Sequence, residues 1–106
     1  MKIVVFGASR GVGLQVVKQA LDGGHLVTAF VRSPDKFEVK HANLRVCQGD
    51  SMDGATVANA IAGQGAVISA LGPTHPPVAH MLETSARNIV MGMKKHGVRR
   101  LISTSG

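Results

Sequence analysis

Met1-Lys-Ile-Val-Val-Phe-Gly-Ala-Ser-Arg-Gly-Val-Gly-Leu-Gln15 is the stretch that decides the fold. Ile3, Val4, Val5 and Phe6 make a short run of β-branched and aromatic residues, which reads as a strand buried on both faces of a parallel sheet. Gly7, Gly11 and Gly13 follow in the spacing Gly-x-x-x-Gly-x-Gly, and Leu14, Val17, Ala20 and Leu21 then recur at helical intervals. Such a turn lets backbone come close to a pyrophosphate, and the free N–H groups and dipole of the helix N-terminus stabilise its charge. Glycines also serve ordinary turns; the placement between strand and helix is what points to a nucleotide.

Working outward, Asp22-Gly23-Gly24 stops the first helix, and His25-Leu-Val-Thr-Ala-Phe-Val31 reads as a second buried strand. Ser33 is a candidate N-cap before Pro34 for a short helix. Leu44-Arg-Val-Cys47 is a third strand, ended by Gln48-Gly49-Asp50. Asp53 caps a helix carrying Val57, Ala60 and Ile61, closed by Gly63 and Gly65, and Ala66 to Leu71 form a fourth strand. After the stiff loop Gly72-Pro-Thr-His-Pro-Pro77, a long helix is expected from Val78 to His96. Its apolar face would be Met81, Leu82, Ala86, Ile89, Val90 and Met93. Val98 to Ser103 is a fifth strand, with Thr104, Ser105 and Gly106 at its carboxyl end. No internal repeat interrupts this alternation.

Alternating strands and helices imply right-handed crossovers and a parallel sheet in the order 3-2-1-4-5. The reversal between strands one and four opens a crevice at their carboxyl ends, where ligands bind in such sheets. Gly7 to Gly13, Arg32, Asp50, Gly72 and Ser103 to Ser105 all collect there. With 106 residues and 44% hydrophobic content, one globular domain over 1–106 is expected. No apolar run has the length of a membrane span, no cationic leader precedes the first strand, and the single Cys47 suits a reducing cytoplasm better than a disulfide framework. The five histidines have no zinc spacing, so no metal is expected. The net charge of +6 is spread along the chain, and without Trp or Tyr there is no base-stacking platform for nucleic acid. A basic surface does attract phosphorylated cofactors.

The end of the second strand narrows the cofactor. A bare ribose 2′-hydroxyl is usually held by an acidic residue there. This chain has Arg32 instead, with Lys36 four residues on and Arg10 in the glycine loop. Cations around the ribose favour a 2′-phosphate, hence NADP(H) over NAD(H), unless Arg32 and Lys36 are only solvated surface charges.

Phe6-Gly-Ala-Ser-Arg-Gly-Val-Gly13, Val31-Arg32, Gly49-Asp50, Ala70-Leu-Gly72, Ala86-Arg-Asn-Ile-Val90 and Lys95-His-Gly-Val98 together resemble an atypical short-chain dehydrogenase/reductase. The likeness is to the NAD(P)H-binding group of biliverdin-IXβ reductase/flavin reductase and NmrA-like proteins, and it covers the first half of such a protein. The atypical group more often has glycine where Arg10 stands.

The resemblance implies a Rossmann-type fold and a set of roles. Gly7, Ser9, Arg10, Gly11, Val12 and Gly13 would surround the pyrophosphate, and Arg32 and Lys36 the 2′-phosphate. Asp50 would accept from the adenine amino group, with Ser51 and Met52 along the ring, although Asp50 also reads as a β-turn aspartate. Ala70, Leu71, Gly72 and Pro73 would run beside the nicotinamide ribose. Ser103, Thr104 and Ser105 would lie near nicotinamide and substrate, or simply satisfy the strand end.

For catalysis the chain has no tyrosine, so a Tyr-x-x-x-Lys pair is excluded within it. His75 is the one nearby side chain that titrates near neutrality, and Ser105 the one hydroxyl candidate; loop residue and strand terminus are their plainer readings. The expected function is NADPH-dependent hydride transfer to a flavin, tetrapyrrole or quinone-like acceptor. An NmrA-like cofactor-binding regulator without turnover and an inactive half-domain are the rivals. The first helix alone covers one sheet face, so Val67, Ile68, Leu101 and Ile102 are expected to lie bare beside an unpaired fifth strand. Self-association there, or a longer protein, would cover them.

Overall fold

A computed structural model describes residues 1–9, 11–71 and 80–103. The chain runs β1 (Lys2–Phe6), α1 (Gly11–Asp22), β2 (Leu26–Val31), a 3-10 turn (Pro34–Lys36), β3 (Leu44–Gln48), α2 (Gly54–Ile61), β4 (Ala66–Ser69), α3 (Met81–His96) and β5 (Leu101–Ser103). All strand pairs are parallel and the order is β3-β2-β1-β4-β5, the doubly wound arrangement that the alternation predicts.

The central strand shows why this sheet forms. Val4, Val5 and Phe6 have no exposed surface, so β1 is apolar on both faces and must be covered twice. On one face Ile3, Val5, Val27, Ala29, Val31 and Ile68 pack under Val17 and Leu21 of α1 and under Phe37. On the other, Val4, Phe6, Phe30 and Val67 meet Val57, Ala60 and Ile61 of α2 and Ile89 and Met93 of α3. The Phe6 and Phe30 rings are tilted at 45° with centroids 4.8 Å apart, a favourable aromatic geometry. Among the described residues no helix is long and apolar enough to cross a membrane.

Several expectations are corrected. Ser33 makes no side-chain capping bond; Pro34–Lys36 is a single 3-10 turn closed by backbone bonds from Lys36 N to Ser33 O and from Phe37 N to Pro34 O. The third strand is an edge, as the expected order has it, and Cys47 on it is half-buried. The long helix is described from Met81, while 78 and 79 lie outside the described residues. Its buried stripe is Met81, Ser85, Ile89, Gly92 and Met93, whereas Leu82, Ala86 and Val90 are exposed. The fifth strand begins at Leu101, three residues later than expected, with Val98 buried beneath α3. Val67 is fully buried on the α2–α3 side and Ile68 joins the α1-side cluster, so only Leu101 and Ile102 of the expected bare set stand exposed.

Candidate cofactor-binding site

Parallel register brings the strand ends to one edge of the sheet. Phe6 stands level with Phe30 and Ser69, Val31 with Gln48, and Ser69 with Ser103. The residues that leave those ends therefore gather along one rim: Gly7 after β1, Arg32 after β2, Gly49 and Asp50 after β3, Ala70 and Leu71 after β4, and Ser103 at the end of β5.

The glycine turn is built from three different constraints. Ala70 N donates to Phe6 O at 2.9 Å, which draws β4 against the start of the turn. A Cβ on Gly7 would then lie 2.6 Å from Ala70 O. Gly13 is buried in the first turn of α1, and a Cβ there would fall 1.8 Å from Gly7 O; its absence lets the helix sit directly on the turn. Gly11 is the opposite case. It has φ +61° and nothing within 4 Å of a Cβ position, so it is open to a ligand but demands a left-handed backbone. Gly11 is thus a conformational requirement in open surroundings.

Ser9, Gly11 and Val12 are exposed around the helix start, and α1 has no acidic residue in its first turn to compete with a bound anion. Together, the cradle that a Cβ would fill at Gly7 and Gly13 and the open backbone at Gly11 fit a pyrophosphate. Arg10, Gly72, Pro73, His75, Thr104 and Ser105 lie outside the described residues.

Beside this turn a groove of about 450 Å³ is lined by Ser9, Leu14, Lys18, Lys36, Phe37, Glu38 and Val39. Ser9 of the glycine turn and Lys36 of the 3-10 turn share it. Arg32 is exposed at the rim and does not line it. Neither Arg32 nor Lys36 is in an ion pair among the described residues, so both charges are available to a phosphate. Lys18 and Glu38 escape a motif reading; only the return of 36–39 alongside α1 brings them to the groove.

At the end of β3, Gly49 N donates to Val31 O at 2.9 Å, and a Cβ on Gly49 would collide with the Phe30 ring at 2.6 Å. Asp50 is exposed. Its Oδ1 accepts from Met52 N at 2.9 Å and its carbonyl from Asp53 N at 2.9 Å, so it does form the local turn of the plainer reading. Met52 is half-buried. Ser51 is buried, and its hydroxyl lies 2.6 Å from Ser85 Oγ of α3, which leaves its backbone rather than its hydroxyl for the rim. Ser85 and Asn88, both on α3, reach this turn without having been read as contacts to it; the signals were a serine on an otherwise apolar helical stripe and the asparagine within Ala86-Arg-Asn-Ile-Val90. Ala70 and Leu71 are half-buried, Leu71 against the α2–α3 cluster, and Ser103 is exposed.

Residues 7–106 match the model of a protein family described as NAD(P)H-binding. Among solved structures, a candidate epimerase of Bacteroides thetaiotaomicron is 35% identical with a TM-score of 0.84, over 96% of this chain and 45% of that one. A Rossmann-fold NAD(P)-binding family protein of Shigella flexneri is 25% identical with a TM-score of 0.81, over 94% of this chain and 49% of the other. An anaerobillin reductase of Escherichia coli O157:H7 is 26% identical with a TM-score of 0.79, over 97% and 50%. The chain thus spans about half the length of the solved structures it matches. The glycine cradle, the sheet order and the match over nearly the whole chain agree: this chain belongs to the NAD(P)H-binding family of Rossmann-fold proteins.

Proposed function

We propose that the chain binds NADP(H) in preference to NAD(H) and forms the cofactor half of a cytoplasmic reductase whose acceptor is a flavin, tetrapyrrole or quinone-like ring. The observation that carries this reading is the juxtaposition of the open glycine turn with cations outside any ion pair among the described residues: Ser9 and Lys36 border one groove, which Lys18 and Glu38 also line, and Arg32 stands exposed at the end of β2. The N-terminus of α1 would hold the pyrophosphate, Arg32 and Lys36 the 2′-phosphate, and Asp50, through the carboxylate oxygen left over from its turn, the adenine amino group. Bound in this way, NADPH would supply a hydride. Ala70 and Leu71 would then fix the height of the nicotinamide ribose over the sheet edge. Gly72, Pro73, Ser103, Thr104 and Ser105 complete that side of the reading. The likeness to an anaerobillin reductase supports a planar tetrapyrrole among the acceptors, and two planar rings need chiefly to be held face to face for hydride to pass.

A second reading, an NADP(H)-binding regulator that does not turn over, is favoured by one observation: these 106 residues include no tyrosine, and so no Tyr-x-x-x-Lys pair. Parallel titrations with NADPH and NADH, followed by NADPH-oxidation assays with flavin and biliverdin, separate the readings. Tight NADPH binding with oxidation supports the reductase, binding without oxidation the regulator. Equal affinity for the two cofactors overturns the 2′-phosphate assignment.

A further inference from the structure

Asp50 is not held in place by its own strand alone. Ser51, the next residue, is gripped twice from α3, across 34 and 37 residues of sequence. Its hydroxyl lies 2.6 Å from the Oγ of Ser85, which has no exposed surface and also lies 3.5 Å from Met81 Sδ. Its carbonyl accepts from Asn88 Nδ2 at 3.0 Å. Gly54 makes the second contact sterically possible, since a Cβ there would stand 3.1 Å from Asn88 Oδ1.

Buried hydroxyls and amides cost free energy unless they are paired, and apolar residues at both 51 and 85 would carry no such cost. The polar pair therefore sits where the core does not need it. What it does fix is the turn that follows β3. With Ser51 anchored, Met52 N binding Asp50 Oδ1 and Asp53 N binding Asp50 O, the Asp50 carboxylate has one orientation over the rim.

We propose that Ser85 and Asn88 of α3 are positioning residues for the adenine end of the cofactor, acting through Ser51 to aim the Asp50 carboxylate at the 6-amino group. This rests on the adenine reading of Asp50 given above and adds to it the element that sets adenine recognition. Recognition of the base is then coupled to the docking of α3, not to the glycine turn.

The test compares NADPH with its hypoxanthine analogue, in which a carbonyl replaces the 6-amino group, and with nicotinamide mononucleotide, which lacks the adenine nucleotide. Affinities are measured by calorimetric titration of the full chain, its Asn88→Leu variant and the double variant Ser51→Ala/Ser85→Ala. The double variant removes both hydroxyls and so leaves no orphan in the core. The unmodified chain should bind the adenine cofactor roughly three- to tenfold tighter than the hypoxanthine one, the weight of one hydrogen bond. In both variants that ratio should fall to about one, with nicotinamide mononucleotide affinity unchanged. A merely structural role would weaken all three ligands together and leave the ratio intact, and that result overturns the proposal. If the unmodified chain binds NADPH but shows no such ratio, the Asp50 reading falls and takes this inference with it. If either variant fails to fold, the ratio in the other decides.

Discussion

Gly13 and Gly11 stand two residues apart in one motif and are glycine for opposite reasons. The first is glycine because Gly7 O occupies the place of a side chain, the second because its backbone is left-handed while the space around it is empty. Gly13→Ala should therefore lower stability by more than about 3 kcal/mol, beyond ordinary overpacking, since the obstacle is backbone and cannot rotate away. Gly11→Ala should cost only about 1–2 kcal/mol, the left-handed penalty, while weakening the cofactor by a larger factor. Denaturant melts and a titration on the same samples check both, and equal destabilisation by the two would contradict the assignment. The glycine spacing showed that a tight strand-to-helix turn was present. It could not show which glycine is filled by backbone, because that depends on how the first turn of α1 sits back on Gly7. Arg32 was placed at the rim by its position after the second strand. The proposed preference for NADP(H), expected to be at least about tenfold, or ~1.4 kcal/mol, should narrow or reverse in Arg32→Asp. Lys36→Ala should reduce it less, as one of two cations is kept. A preference untouched by both changes would mark them as solvated charges.

Of the three helices, α2 and α3 differ in how far they were legible. Asp53 before an apolar-periodic run is a start signal, and its Oδ1 accepts from Ala55 N at 3.1 Å and Thr56 N at 3.3 Å. Asp53→Ala should cost about 1 kcal/mol. α3 is different: ranking residues by hydrophobicity selects Leu82, Ala86 and Val90, all of which face outward. The buried face is chosen instead by how closely α3 can approach α2. Gly92 permits that approach, for a Cβ there would stand 3.1 Å from Ala58 Cα and 3.0 Å from Ile61 Cδ1. The Ser85–Ser51 hydrogen bond lies on that same buried face. A glycine and a serine are weak signals in any hydrophobicity count, so Met81, Ile89 and Met93 of the face were found while Leu82, Ala86 and Val90 were misplaced. Ile89→Ala should accordingly lower stability by about 2–5 kcal/mol, and Val90→Ala by no more than about 0.5 kcal/mol. Chemical denaturation of the two variants decides; comparable losses would restore the original face.

At the scale of the whole molecule, the strand order followed from the alternation of apolar runs and helical repeats, and from the glycine loop at the first crossover. Burial at the ends of that order was harder to read, because a strand's place at an edge depends on which neighbours arrive. β3 proved to be one edge of the described sheet, and there Arg45 is exposed beside Val46. β5 is the other, with Leu101 42% and Ile102 56% exposed and no charged residue within the strand. Charge on an edge strand resists pairing with another chain, and its absence invites it. Ile102 stands in register with Ile68, on the α1 side of the sheet, while Leu101 stands with Val67 on the other. An incoming strand could therefore extend the hydrogen-bond ladder and cover apolar side chains on both faces at once. A second copy of this chain presents the same edge, and a two-fold axis beside β5 would pair the two strands antiparallel. The expected outcome is a weight-average mass by light scattering that rises with concentration, and a return to the monomer mass in Ile102→Lys. The substitution places a charge on the exposed edge without touching the buried core. A monomer mass at every concentration in the unmodified chain would show that this edge does not act as a template.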